Sequence, residues 1–351
     1  MNFDEIIDRQ GTHSSKWDKM EPIYGVPANT GIAMWVADMD FRPPAVVQDA
    51  LQSMLDHGIY GYFGDDREYL NAIQWWMDNR HGWKIDPEWV FTTHGLVNGT
   101  AMCVDAFTNP GDGVVLFTPV YHAFARIITA SGRKVVECEM VNNNGRYELD
   151  FEAYDAQMNG DESMLVFCSP HNPGGRVWTK AELEQVAAFA KRHDLVLVSD
   201  EIHHDLTMPG CHHTPMALID GIEAAMGLSP NSFGLVMATA AYSQQGAAWV
   251  DELVIYLDGN RKMFDATINA IPGLESMPLE STYLAWVDFK NTGMKQSEVT
   301  SRIEKTAKIA ANHGASFGKG GESFMRFNIA TPRARVEEAC ARLRDAFKDL
   351  Q

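Results

Sequence analysis

Cysteine is scarce in this sequence and follows no pairing pattern. The five cysteines, Cys103, Cys138, Cys168, Cys211 and Cys340, include no CxxC pair and leave an odd number. That argues against a disulfide framework and suits free thiols in a reducing, cytoplasmic compartment. Long hydrophobic runs are missing too. No stretch approaches the roughly eighteen uninterrupted apolar residues of a membrane helix, and MNFDEIIDRQGTHSSKWDK at the start carries acids where a signal peptide is first basic and then apolar. Neither membrane insertion nor export is expected. Positive charge is also in short supply: 29 Lys and Arg face 47 Asp and Glu, a formal net charge of −18. Binding to nucleic acid or to an anionic membrane needs clustered basic groups that release counterions, so neither partner is expected.

What is present is a chain of 351 residues with 45% hydrophobic content, enough for one large α/β domain and a smaller one. Residues 1–45 are irregular and rich in Pro, Gly and Asp, and read as an N-terminal arm. PAVVQDALQSMLDHG (44–58) has apolar residues at helical spacing and a stop at Gly58. From 85 to 210, the short apolar runs WVFTTHG, GVVLFTP, RKVVECEM, MLVFCSP and LVLVSDE are separated mainly by helical segments, the pattern of a largely parallel sheet covered on both faces. A large domain is expected over 46–270. Over 271–351, STYLAWVDFK, the helix SEVTSRIEKTAKIAANHG, SFMRFNIA and the helix RARVEEACARLRDAFKDL predict a small α+β domain that the arm joins.

Ligands of parallel sheets gather at the carboxyl ends of the strands, and four residues are expected there. Gly95 sits between the WVFTTHG run and a helix starting at Leu96; it either cradles a phosphate on free helix N–H groups or simply makes the turn. Tyr121, in FTPVYHAF, either stacks on a planar heterocycle or packs in the core. In SPHNPGGRVW two prolines and a Gly pair make a rigid turn that presents Asn172. Asp200, in VSDEIHHDL, either faces a ring nitrogen or caps the next helix.

These four pieces, in this order on successive strands, resemble the fold-type I pyridoxal-phosphate (PLP) enzymes of the class I/II aminotransferase superfamily. NPGG followed by SDEIHxD, with MWVADMDF (34–41) and GYFG (61–64), resembles their cystathionine β-lyase-like branch in particular. The resemblance implies an α/β fold with a mainly parallel sheet, helices on both faces and a small C-terminal α+β domain. It also implies PLP as cofactor and a small amino acid as substrate. The activity it implies is C–S β-lyase, splitting cystathionine or cysteine S-conjugates to pyruvate, ammonia and a thiol, with transamination on the same scaffold as the alternative. Residue by residue, Gly95 and Leu96 would hold the phosphate, Tyr121 would stack on the ring, Asn172 would bond its phenolic oxygen, Asp200 would pair with its nitrogen, and His203 would lie beside it. Arg326 would take the substrate α-carboxylate, although an isolated strand arginine is otherwise a surface ion pair. Ala37 would lie against the same carboxylate, and Tyr62 would reach the phosphate of a neighbouring subunit, making a homodimer with shared sites.

One element of the pattern is missing. The Schiff-base lysine of such enzymes lies a few dozen residues beyond the Asp200 position, in a Ser–x–Lys-like stretch followed by Gly and a basic residue. Here HTPMA (213–217) runs through LIDGIEAAMG to LSPNSFG without a lysine; the nearest, Lys191 and Lys262, lack the surrounding residues. The gap reads as an internal deletion near 217–228, with two strands belonging in the middle of the sheet lost along with the lysine. A catalytically defective PLP-binding relative, paired with an intact homologue that supplies the lysine, is therefore a second expectation. A metal hydrolase built on His203, His204, Asp205, His212 and His213 is a third, disfavoured because adjacent histidines at a strand end point apart and PLP binding already explains His203. Trp75, Trp76 and Trp83 read as core or interface aromatics, and the methionines as gap-fillers.

Overall fold

Four of the five apolar runs are parallel strands. The computed structural model describes residues 1–61, 64–219 and 232–350. In chain order the major helices of the first part are α1 (Ala45–His57), α2 (Arg67–His81), α3 (Leu96–Phe107), α4 (Ala123–Ala130) and α5 (Lys180–Arg192). Between them run β1 (Gly113–Thr118), β2 (Lys134–Glu139), β3 (Glu162–Cys168) and β4 (Val196–Asp200), which form one parallel sheet in the order β2-β1-β3-β4. The period-two alternation of strands sorts their side chains to opposite faces. Val115, Phe117, Leu165 and Phe167 meet Leu183, Val186 and Phe189 of α5 on one face. Val114, Leu116, Met164 and Val166 meet Val104 of α3 and Phe124 and Ile128 of α4 on the other. The sheet is thus covered on both sides, as expected.

WVFTTHG is not a strand. Pro87 and the Asp86 side chain, which accepts from the Glu88 N–H, start a 3-10 turn over Pro87–Trp89. Beyond it only Thr92 makes a lone bridge, and Trp89 and Phe91 are exposed. Gly95 therefore follows a loop rather than a strand. At the other side of the sheet, β4 has a neighbour among the described residues only in β3, and its residues are only partly covered, whereas β1 is buried throughout.

Helices α6 (Ser232–Ala241) and α7 (Gln244–Asn269) lead to an antiparallel sheet of β5 (Glu275–Ser276), β6 (Leu284–Asp288), β7 (Asn312–His313) and β8 (Phe324–Asn328), ordered β7-β8-β6-β5. Helix α8 (Arg333–Ala346) buries Val336, Ala339, Cys340 and Leu343 against it, and α7 adds Leu253, Leu257, Phe264 and Ile268. The helix predicted over SEVTSRIEKTAKIAANHG is much shorter than that. It covers Gln296–Ser301 and a wider turn to Thr306; then Lys308 turns left-handed (φ 54°), and Ile309–Ala310 and Asn312–His313 run extended. Ile309, Ala310 and Ala311 are completely buried, and strand pairing with Ile32–Ala33 and with β8 satisfies their backbone better than one long helix would.

The N-terminal segment is pinned by charge as well as by that pairing. The buried Asp40 carboxylate accepts from Lys16 Nζ (2.8 Å), Arg9 Nη1 (2.9 Å) and Trp17 Nε1 (2.9 Å). Lys16 and Asp40 side chains are both 0% exposed. All five cysteines are free thiols. Among the described residues no helix is long and apolar enough to cross a membrane.

Candidate active site

The ends of β3 and β4 gather the side chains. Cys168 and Asp200 are register partners at the last positions of these strands. The turn after β3 is closed by two backbone bonds between His171 and the Gly175–Arg176 end, each 2.8 Å. Arg176, buried, locks it by bonding Glu182 (2.8 Å) and Glu280 (3.3 Å), while the Trp178 indole donates to the Cys168 carbonyl (3.0 Å). The turn thereby holds Asn172 at 4% exposure, with its Oδ1 accepting from Arg326 Nη1 (3.1 Å).

Arg326 lies on β8 and is the electrostatic centre of the site. Its other terminal nitrogen donates to the Trp35 carbonyl (2.8 Å) and to Asn312 Oδ1 (2.6 Å), and its guanidinium sits 4.9 Å above the Phe317 ring. All these partners are neutral. Arg326 Nε has no acceptor, and burial pulls the guanidinium pKa down to about 10. A buried cation without a counter-charge, with one N–H unspent, is costly unless an anion completes it. The ion-pair alternative for Arg326 does not hold among the described residues.

Ala37 is exposed in a bend whose flanks are fixed to β8: Asn328 Nδ2 donates to the Val36 carbonyl (2.5 Å) and to the Asp38 carbonyl (2.9 Å). Together with the Arg326 bond to Trp35, these contacts lay the bend beside the arginine.

Asp200 is half-buried, and desolvation raises its carboxyl pKa; one oxygen accepts from the Ile202 N–H (3.1 Å). His203 is 7% exposed, its ring 6.2 Å from Tyr283, and burial, with Arg326 adding, lowers its pKa to about 4. It is a neutral imidazole. Tyr121 is half-buried just past β1, edge-on to His122 (5.0 Å) and Phe124 (5.5 Å).

Gly95 takes φ 85°, ψ 155°, a conformation that favours glycine, and precedes α3 without any side-chain cap. Leu96, the first helical residue, is 45% exposed. A cavity of about 520 Å³ opens against this helix end, lined among others by Thr93, Gly95, Leu235 and Ala238. Tyr62 and most of the expected deletion region lie outside the described residues.

Sequence reading passed over Asn312, Trp35, Phe317 and His122. His122 follows Tyr121 directly, has a buried Nδ1 without a partner, and is lowered in pKa by burial and by Arg326. Its place next to Tyr121 was the one available signal.

The profile of the class I and II aminotransferases matches residues 34–233 and 224–343. The chain belongs to this family. It is 34% identical to the cystathionine β-lyase PatB of Bacillus subtilis, with 99% of this chain and all of PatB aligned. That alignment extends over 389 residues, longer than the 351 of this chain, so it crosses PatB positions that this chain lacks. Among solved structures, cystalysin from Treponema denticola, which contains a pyridoxal 5'-phosphate cofactor, superposes with a TM-score of 0.92 at 32% identity over 100% of this chain and 99% of that one. The PLP-bound C–S lyase from Staphylococcus hominis gives 0.87 at 28% identity over 99% and 98%.

Several of the side chains present are of the kind that suits PLP and an amino acid. A bare helix end, a half-buried carboxylate, a neutral imidazole and an unspent guanidinium N–H would suit a phosphate, a pyridine nitrogen, a ring and a carboxylate. The covalent anchor has no match: no lysine occurs between Lys191 and Lys262.

Proposed function

We propose that this chain is a PLP-dependent C–S β-lyase of the cystathionine β-lyase-like branch, converting cystathionine or a related cysteine S-conjugate, with water, to a thiol, pyruvate and ammonia. The observation that carries the substrate side of this reading is Arg326, a buried guanidinium with only neutral partners and one free N–H. An amino-acid carboxylate beside Ala37 supplies the missing charge. PLP, when bound, supplies the electron sink that lets the α-proton and then the β-thiolate leave.

The chain's own residues bind and orient. Backbone N–H groups at Gly95 and Leu96 receive the phosphate, with the α3 dipole in favour of negative charge. Tyr121 would stack on the ring, Asn172 would bond its phenolic oxygen, and His203 would pack beside it as a neutral imidazole. Asp200 loses the penalty of an isolated half-buried carboxylate once a protonated ring nitrogen faces it. By the family resemblance, Tyr62 of a second subunit would reach the phosphate in a cytoplasmic homodimer.

No lysine stands where the resemblance places the α-proton base, between Lys191 and Lys262. That favours a second reading, a PLP-binding relative that depends on a lysine from an intact homologue; the long PatB alignment and the lysine-free stretch support an internal deletion. Transamination on the same scaffold is the alternative reaction.

The test is to add PLP to the purified chain, reduce with borohydride, map any attached cofactor by mass spectrometry, and assay pyruvate from cystathionine. Cofactor fixed to one lysine together with pyruvate release supports the lyase. Tight PLP binding without attachment or pyruvate overturns lyase activity of the chain alone and leaves the binding role; pyruvate regained on mixing with an intact homologue then supports complementation. Glutamate formed from cystathionine and 2-oxoglutarate instead of pyruvate identifies transamination.

A further inference from the structure

Where the chain leaves β4, three imidazoles and a carboxylate converge. His81 is the last residue of α2; His204, Asp205 and His213 come from the chain after β4. His81 Nε2 lies 3.0 Å from one Asp205 oxygen and His204 Nε2 lies 3.0 Å from the other. One ligand atom from each of His81, His204 and Asp205 fits within 4.8 Å of the others. The His213 ring stands 5.9 Å from that of His81 and 6.0 Å from that of His204, with its Nε2 on Glu201 (2.8 Å). His203, by contrast, faces Tyr283, and His212 is exposed, so the five residues of the disfavoured metal-hydrolase reading are divided.

We propose that His81, His204 and Asp205 form a binding site for a divalent cation of the zinc class, with water in the fourth position and His213 and Glu201 as its wall. Two imidazoles with one carboxylate suit borderline ions such as Zn²⁺ or Co²⁺ rather than Mg²⁺ or Ca²⁺. With bonds of about 2.0–2.1 Å, neighbouring ligand atoms of a tetrahedral zinc stand roughly 3.3 Å apart; the two 3.0 Å separations, one to each Asp205 oxygen, are near that value, and the ligand atoms, all within 4.8 Å of one another, close around the ion as it binds. The outer contacts that hold a metal-ligating carboxylate are in place. Trp76 Nε1 donates to Asp205 at 3.0–3.1 Å and is itself fixed by stacking on Tyr242 at 4.8 Å. Side-chain exposures of 7% for His81 and 17% for Asp205 leave a narrow entry. An ion here ties the end of α2 to the loop that follows Asp200, and the site is independent of the proposed lyase activity.

The test is Co²⁺ titration of the chelator-stripped, cofactor-free protein, because PLP itself binds divalent ions. One Co²⁺ per chain, with visible ligand-field bands that Zn²⁺ abolishes, is the expected result. His81→Ala and His204→Ala lose the bands, His212→Ala keeps them, and Trp76→Phe weakens Co²⁺ binding about tenfold. No bands in the folded wild type, or bands that survive in both histidine variants, overturn the site. If the alanine variants fail to fold by circular dichroism, His204→Gln, which preserves a hydrogen bond to Asp205 but not the imidazole, decides in their place.

Discussion

Arg326 and Asp40 are both buried charges, and their surroundings show what each is for. Asp40 is answered inside the protein: burial pushes its carboxyl pKa up, but Lys16, at 2.8 Å, and the Trp17 indole outweigh that and hold it below the usual carboxylate value. A depressed carboxyl contributes stability that is present above its unfolded pKa of about 3.9 and is lost as pH falls through the folded value. Lys16→Met leaves Asp40 only its weaker partners; we expect a loss of about 3 kcal/mol in urea unfolding at pH 7, and acid unfolding that begins at higher pH than in the wild type. Arg326 is answered by no carboxylate among the described residues. Arg326→Lys keeps the positive charge but loses the planar fork, so with PLP present it should bind an unreactive amino-acid analogue at least tenfold more weakly by calorimetry, with little change in unfolding. The sequence showed Arg326 and Asn172 only as separate motifs. Their direct bond, across 154 positions, and the part played by Asn312 follow from how the turn after β3 meets the middle of β8, which no local pattern encodes.

At the scale of elements, legibility tracked how much of the folding signal was local. Helix α5 is announced by TKAE: Thr179 and Glu182 form a reciprocal capping box, and Glu182 also reaches Arg176 in the turn that carries Asn172. Thr179→Ala should cost about 1 kcal/mol in chemical unfolding; a loss near zero would mean that Arg176 alone sets the start of this helix. Strands β1, β3 and β4 were equally readable, being short apolar runs ended by turn residues. The two misread segments share a cause, since in each the outcome depends on distant partners. WVFTTHG has strand composition, yet Asp86 and Pro87 open it with a turn and no described strand lies alongside. SEVTSRIEKTAKIAANHG has helical spacing, yet its second half pairs with Ile32–Ala33 and with β8.

At the scale of the molecule, the proposed homodimer can be argued from α1. Of its thirteen residues only Val47 is buried, although the apolar positions Val46, Leu51, Met54 and Leu55 recur along it. Leu55 is 54% exposed, and the chain beyond it presents Ile59 at 75% and Tyr60 at 51%. Helix α1 packs against α6, and Tyr60 packs on Phe233 (5.3 Å), but Leu55 and Ile59 stay outside that contact, and an exposed apolar edge at a helix end suits a second chain. It also leads directly to Tyr62, the residue proposed to reach a second subunit's phosphate, so one surface would serve both assembly and cofactor binding. Sedimentation velocity should therefore find a species of twice the 39.1 kDa chain mass. Leu55→Glu combined with Ile59→Glu should shift it to the single-chain mass with far-UV circular dichroism unchanged, because neither residue is buried in the chain itself. The same variant should bind PLP more weakly, through loss of the partner's tyrosine. A wild-type chain that sediments as a monomer, or a double variant that remains dimeric, would move the subunit interface away from α1 and remove the reason for assigning Tyr62 to a shared site.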